Sequence, residues 1–185
     1  MVDAPKYHRR SIRMKGYDYS MEGAYFVTIT TFQRKCLFSE VVNGEIRLSS
    51  YGLIAHEQWN RLQKRFPPSE FTTFVIMPNH MHGIIHLVRG AGQVSKMGHE
   101  KIPSLRPYSD HNVTPGSLGA IVKAYKASVT YRINAIRGYT NPPVWQRNYY
   151  EHIIRNEREY KQITDYIEAN PATWIEDRFY VPGII

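Results

Sequence analysis

Two histidines on either side of one apolar residue, His80 and His82 around Met81, are the first residues in this chain whose spacing suggests chemistry. Side chains alternate across a β-strand, so on a strand the two imidazoles share one face and Met81 points to the other. Their backbones would stand roughly 7 Å apart, which lets two imidazoles converge on one metal ion. Solvated strands also carry such pairs. His86 shares the face but lies a further ~13 Å along the strand, which makes it a poor third ligand.

A third ligand must come from elsewhere, and a polar stripe late in the chain offers one. Gln162, Tyr166 and Asn170 recur at intervals of four residues, which places them on one face of a helix. Asn170 could supply a neutral amide oxygen to a metal, and Tyr166 could supply a hydroxyl one turn away. The competing interpretation of Tyr166 is a tyrosine at the edge of the core with a solvated hydroxyl.

The elements that must position these residues follow from the hydrophobic pattern. Runs of β-branched and aromatic residues predict strands, and apolar residues at intervals of three and four predict helices. The predicted strands are 24–32, 71–77, 80–88 and 143–154, and the predicted helices are 48–66, 114–133 and 157–170. Pro78 and Asn79 predict a tight hairpin between the two middle strands. Thr114 with Pro115 predicts the start of the second helix, and Asn156 predicts the start of the third.

The order β-α-β-β-α-β-α predicts an α+β fold. We expect a ferredoxin-like (split βαβ) antiparallel sheet with helices on one face and an additional C-terminal helix that carries Tyr166. In that fold Met81 belongs to the helix-packed core, and His80 and His82 face the opposite, open side of the sheet.

Composition predicts one domain over residues 1–185, because 185 residues with 42% hydrophobic content can bury one core. Residues 89–113, rich in glycine and proline and without periodicity, predict a long loop. Cys36 is the single cysteine, so no intramolecular disulfide or cysteine zinc cluster can form, which fits a reducing cytoplasm. No apolar run has the length of a membrane helix, so neither export nor membrane insertion is expected.

Charge favours a polyanionic partner. Lysine and arginine number 24 against 16 acidic residues, and they are mixed with 14 tyrosines and three tryptophans. Cations displace counterions from phosphates while flat rings stack on unpaired bases, a combination typical of single-stranded nucleic-acid binding. The alternative for these cations is an ordinary solvated face. The candidate DNA contacts are Lys123, Lys126, Arg132, Arg147 and Arg13.

Three stretches together resemble a known family. "MPNHMHGIIHL", "VWQRNYYEHIIRNEREY" and "DYIEANP" are similar to the single-tyrosine HUH transposases, in particular the REP-associated tyrosine transposases related to the IS200 type. The resemblance runs from about residue 17 to residue 179. Asn170, where other members carry glutamine, matches the REP-associated branch. Residues 89–113 contain no motif of the family.

The resemblance implies a mechanism as well as a ferredoxin-like fold. His80 and His82 would bind a divalent metal with Asn170, and Tyr166 would be the nucleophile. Attack on single-stranded DNA at REP-like palindromic hairpins would leave a 5′-phosphotyrosine and a free 3′-hydroxyl, so strands could be rejoined without ATP. Histidine alone would favour zinc or another transition metal, whereas the family implies Mg²⁺ or Mn²⁺.

Two other classes of function remain open at this point. A ferredoxin-like sheet can bind nucleic acid without catalysis by stacking bases on its open face. A zinc hydrolase could use the same two histidines, although the chain has no His-Glu-x-x-His motif. The sequence leaves a homodimer undecided.

Overall fold

The computed structural model describes residues 18, 20–88 and 114–182. Its elements in chain order are β1 (Gly23–Thr30), β2 (Ser39–Val42), β3 (Glu45–Leu48), α1 (Ser50–Arg65), β4 (Glu70–Ile76), β5 (His80–Leu87), α2 (Leu118–Arg137), β6 (Tyr150–Ile154) and α3 (Glu157–Ala169). Four strands form one antiparallel sheet in the order β4-β5-β1-β6, and β2 pairs with β3 in a separate hairpin. This sheet order, with a helix after β3 and another after β5, is the predicted split βαβ arrangement.

The predicted helices are present, and their first turns are capped by side chains. Ser49 accepts a hydrogen bond from the backbone N–H of Gly52 at the start of α1. Asn156 accepts one from the N–H of Glu159 at the start of α3, as its spacing predicted. The start of α2 was predicted four residues too early. Gly116 has a φ of 75°, which breaks helical geometry, and Ser117 caps the helix instead.

Two strand predictions need correction. The hairpin β2-β3 between β1 and α1 was not predicted from its short, mixed sequence. The last strand covers only Tyr150–Ile154 instead of 143–154. Trp145 forms an isolated bridge with Thr31, and the ammonium of Lys126 donates hydrogen bonds to the three backbone carbonyls at 146–148. This segment is held by that isolated bridge, by two backbone hydrogen bonds to the residues around Thr31 and by Lys126, and not by a continuous strand ladder.

The strand β5 separates two different environments. Met81 and Ile85 face the large core formed with α1 and α2, as predicted for Met81. Ile84 faces the other side, where it packs with Phe26 and with Ile167 of α3.

The expectation that the histidine face is open is wrong. His80 and His82 are 0% and 1% exposed, because α3 and the residues that follow it cover this face. An amphipathic α3 needs an apolar surface, and Phe26, Ile84 and Ile154 provide it.

None of the helices within the described ranges is long and apolar enough to span a membrane. The predicted loop 89–113 and Arg13 lie outside the described residues.

Candidate active site

The strand register brings the two histidines together at the buried side of β5. Their partners on β1 are Thr28 for His82 and Thr30 for His80. The two Nε2 atoms lie 3.0 Å apart. This is the convergence predicted from the spacing of the two residues, and it leaves both Nε2 atoms directed at the same small volume.

Hydrogen bonds to the other ring nitrogens fix the orientation of both imidazoles. Nδ1 of His80 donates to the amide oxygen of Asn79 at 2.9 Å, so Nε2 of His80 carries the lone pair when the ring is neutral. Nδ1 of His82 lies 2.9 Å from the hydroxyl oxygen of Thr28. Asn79 is itself oriented, because its amide nitrogen donates to the carbonyls of Arg34 and Phe179. Partners of this kind set the tautomer of metal-binding histidines.

Helix α3 carries Tyr166 and Asn170, the two residues selected in the sequence analysis, to the histidine pair. The hydroxyl of Tyr166 lies 3.2 Å from Nε2 of His82, and the ring is 42% exposed. Asn170 is 1% exposed, and its amide nitrogen donates to a carboxylate oxygen of Asp177 at 2.9 Å. Its amide oxygen is buried and has no hydrogen-bond partner among the described residues. A buried oxygen without a donor is costly, so this atom is suited to a cation.

Asp177 is the site residue that sequence reasoning missed. One of its carboxylate oxygens accepts from the N–H of Phe179 at 2.6 Å, and the other accepts from Asn170 and lies 3.5 Å from the hydroxyl of Tyr166. His80, His82 and Asp177 each offer a ligand atom within 4.8 Å of the other two, which makes them a candidate metal site. The one feature of the sequence that could have pointed to Asp177 is the charged and aromatic run "EDRFY", which comes after the proline that follows α3.

The environment keeps both imidazoles neutral at pH 7. Burial, and then the charges of Arg178 and Arg34, lowers the pKa of His80 to about 3. Burial and the neighbouring His80 hold the pKa of His82 well below its usual range, although Asp177 opposes that shift. A neutral imidazole is the form that binds metals. Burial and the Asp177 carboxylate raise the pKa of Tyr166, so its hydroxyl is protonated in the resting site.

Aromatic side chains wall the site. The ring of Phe26 stacks on His82 with centroids 5.2 Å apart. Phe179 lies 4.6 Å and Trp174 5.9 Å from the ring of His80. These rings exclude water around the nitrogen atoms, which strengthens any electrostatic interaction made there.

Three of the predicted DNA contacts lie on α2. Lys123 is exposed there, and Arg132 forms a 3.7 Å ion pair with Glu57 of α1. Lys126 donates hydrogen bonds to three backbone carbonyls, and burial lowers its pKa to about 8. Because α2 packs on the opposite face of the sheet from α3, the structure does not bring these three cations to the histidines. Arg147 is exposed in the segment that Lys126 contacts.

Comparison with known proteins relates this arrangement to transposases. No family model matches the chain. An uncharacterized protein of Haemophilus influenzae is 40% identical over 175 residues, which cover 95% of this chain and 94% of that protein. The REP-associated tyrosine transposase of Escherichia coli K12 is 24% identical over 160 residues, which cover 85% of this chain and 73% of that protein.

A solved structure shares the fold. It is a REP-associated tyrosine transposase bound to a REP hairpin, and it matches with a TM-score of 0.56 and 20% identity over 88% of this chain and 74% of its own. The motifs around His80 and Tyr166, the sequence match to the E. coli protein and the common fold agree. In sequence and fold this chain is similar to the REP-associated tyrosine transposases of the IS200-like type.

Proposed function

We propose that this chain is a transposase that cleaves and rejoins single-stranded DNA, with Tyr166 as nucleophile and a divalent metal held by His80, His82 and Asn170. One observation carries the proposal: the hydroxyl of Tyr166 lies 3.2 Å from Nε2 of His82, beside a buried imidazole pair.

The donor set fits Mg²⁺ or Mn²⁺. Nε2 of His80 and Nε2 of His82, which lie 3.0 Å apart, would both hold the ion. The unpartnered amide oxygen of Asn170 supplies a third, hard donor. Asp177 accepts a hydrogen bond from the amide nitrogen, which directs the amide oxygen of Asn170 away from the carboxylate. When bound, the ion would polarise a non-bridging phosphate oxygen and stabilise the developing charge.

Tyr166 supplies the covalent step. Its phenolic oxygen attacks phosphorus, a Tyr–O–P bond forms, and the bond from phosphorus to the 3′ oxygen breaks. The proton of the tyrosine must leave during attack, because burial and Asp177 raise the pKa of this hydroxyl. The second carboxylate oxygen of Asp177, 3.5 Å away, is positioned to accept that proton. The departing 3′ oxygen takes a proton from water, and the reverse attack by this 3′-hydroxyl rejoins the strand.

The substrate is proposed by analogy with the relative of known structure, which is bound to a REP hairpin. We propose that this chain also acts on hairpin-forming single-stranded DNA. A net charge of +8 supports a polyanionic partner. Contacts of Lys123, Lys126, Arg132, Arg147 and Arg13 with that DNA, action as one catalytic domain, and a cytoplasmic location remain part of the proposal. A homodimer is left open.

Covalent trapping tests the proposal. Hairpin oligonucleotides taken from palindromic repeats around the coding region are incubated with the protein and Mg²⁺ or Mn²⁺, and the products are separated on a denaturing gel. We expect a protein–DNA adduct that Tyr166→Phe abolishes. Tyr150→Phe is the matched control, because its ring also lies beside Phe26 on this face, 6.5 Å away. An adduct that survives Tyr166→Phe would refute the assignment, and a non-catalytic binding protein would give no adduct at all.

A further inference from the structure

Two arginines that the sequence did not single out lie beside the histidine pair. Arg34 follows β1, and Arg178 follows the short turn after α3. Their guanidinium carbons lie 5.4 Å and 4.5 Å from the centre of one ring, that of Phe179. The same ring packs 4.6 Å from the ring of His80. Both positive charges therefore stand next to the proposed reaction centre.

Neither charge is neutralised within the described part of the chain. The ion pairs found there involve neither Arg34 nor Arg178. A guanidinium nitrogen of Arg34 donates only to the backbone carbonyl of Arg178, at 3.3 Å. Arg178 also lies over the ring of Tyr150, with its guanidinium carbon 5.4 Å from the centroid. Two unpaired cations held on one ring repel each other, and an anion bound beside them would relieve that repulsion.

The two backbone segments that present these arginines are bridged by the side chain of Asn79. Gln33 and Arg34 have φ values of 56° and 55°, a left-handed conformation that non-glycine residues seldom adopt. The amide nitrogen of Asn79 donates to the carbonyl of Arg34 at 3.2 Å and to the carbonyl of Phe179 at 2.7 Å. The residue next to His80 thus fixes both segments. Strained backbone that is over-determined in this way is typical of functional sites.

We propose that Arg34 and Arg178 form a clamp for a phosphodiester of the DNA strand that is cut. The clamp rests on the function proposed above, whose DNA contacts were expected on α2 instead. A guanidinium can hold two oxygens of one phosphate and stack on an aromatic ring at the same time, which a lysine cannot do. The clamp places the phosphate within reach of Tyr166, and it leaves α2 to hold more distant parts of the DNA.

Salt-dependent binding tests the clamp independently of cleavage. The affinity for a fluorescent hairpin oligonucleotide is measured by anisotropy in EDTA over a series of KCl concentrations. We expect Arg34→Gln and Arg178→Gln each to weaken binding roughly 10-fold. The double variant should reduce the slope of log affinity against log salt by about 0.7, since the clamp holds one phosphate and each phosphate neutralised on a single strand contributes about 0.7.

Arg65→Gln is the matched control, because that arginine also lies over a phenylalanine ring, 5.7 Å from Phe66, at the end of α1. It should bind DNA like the wild type. Arg178→Lys keeps the charge without the planar group, so it should keep the salt slope and lose part of the affinity. Arg178→Gln retains the backbone carbonyl that Arg34 contacts, so we expect the fold to be preserved. Thermal unfolding of each variant checks this expectation.

The outcomes separate this inference from the proposed function. An unchanged salt slope in the double variant, with a Tyr166 adduct still formed by the wild type, would overturn the clamp alone. A reduced slope together with no adduct from the wild type would support the clamp and refute the cleavage chemistry. A reduction of equal size in Arg65→Gln would show general charge attraction and would also overturn the clamp.

Discussion

The two faces of the sheet are built on opposite principles. On the face of α1 and α2, among the described residues, twenty-one buried apolar side chains form one core. On the face of α3, among the same described residues, four buried apolar residues pack together and the buried rings of Trp174 and Phe179 lie against His80. Thr28, His80, His82 and Asn170 are buried beside them. The side chains of β5 point alternately to these two faces. The difference indicates that stability is supplied on one side and chemistry on the other.

The buried polar groups of the α3 face carry an energetic cost, which separates this face from the apolar core on the other side of the sheet. Each buried nitrogen or oxygen near the histidines must be hydrogen-bonded or await a ligand, and an unsatisfied group costs about 1–3 kcal/mol. Asn170 retains one such oxygen. The large apolar core on the other face offsets that cost, and Gly83 lets it pack closely. A Cβ at Gly83 would lie 2.5 Å from the ring of Trp59.

The largest expected effect compares two neighbouring isoleucines of β5. Ile84 and Ile85 are both 0% exposed, but Ile85 faces the large core and Ile84 faces α3. We expect Ile85→Ala to cost about 4 kcal/mol of unfolding free energy and Ile84→Ala about 2, because α3 can shift to fill the space. Urea denaturation in EDTA measures both values. Equal costs would remove the proposed difference between the faces.

A second test of the comparison is the effect of acid on stability, which should come from the buried histidines of the α3 face. The pKa of His80 is lowered from 6.5 to about 3, and that of His82 is also far below its usual value. A depressed folded-state pKa contributes stability above pH 6.5 that is lost as pH falls toward the folded value. We expect the metal-free protein to lose about 1 kcal/mol per pH unit through His80 as pH falls from about 6 to 4, and His82 to add to this loss in the same direction. The double variant His80→Gln, His82→Gln should show a correspondingly shallower slope, and an identical slope would contradict the burial of these rings.

A smaller effect concerns Asp177 and Asn170. If Asp177 acts by orienting the amide of Asn170, its substitution by alanine should weaken Mn²⁺ binding about 10-fold to 100-fold. Calorimetry on Asp177→Ala, Asn170→Ala and the double variant forms a thermodynamic cycle. We expect the double variant to lose no more affinity than Asn170→Ala alone. Additive losses would make Asp177 an independent ligand.

Much of this arrangement could be predicted from the sequence. The hydrophobic pattern located three of the sheet strands and the three helices, and it located the last strand only in part. The spacing of His80 and His82 indicated their convergence, and the family motif directed attention to Tyr166 and Asn170. The local sequence pattern was sufficient to predict the relative positions of residues that lie on the same strand or helix.

Contacts between distant segments could not be predicted. The burial of the histidines depends on α3 packing against the sheet, and periodicity does not state which face a helix covers. Asp177, Arg34 and Arg178 reach the site from irregular segments, where no hydrophobic period indicates direction. The shortening of β6 has the same cause, since Lys126 on α2 holds carbonyls 20 to 22 residues away.

The central claim is that Tyr166 becomes covalently attached to DNA. The adduct formed with a hairpin oligonucleotide and Mn²⁺ is digested with nuclease and protease, and the remaining peptide is sequenced by tandem mass spectrometry. We expect the residual 5′-phosphate on Tyr166, within the peptide that contains "DYIEAN". A phosphate on Tyr149, Tyr150 or any other residue would contradict the account, because Tyr166 is the tyrosine whose hydroxyl lies beside the histidine pair.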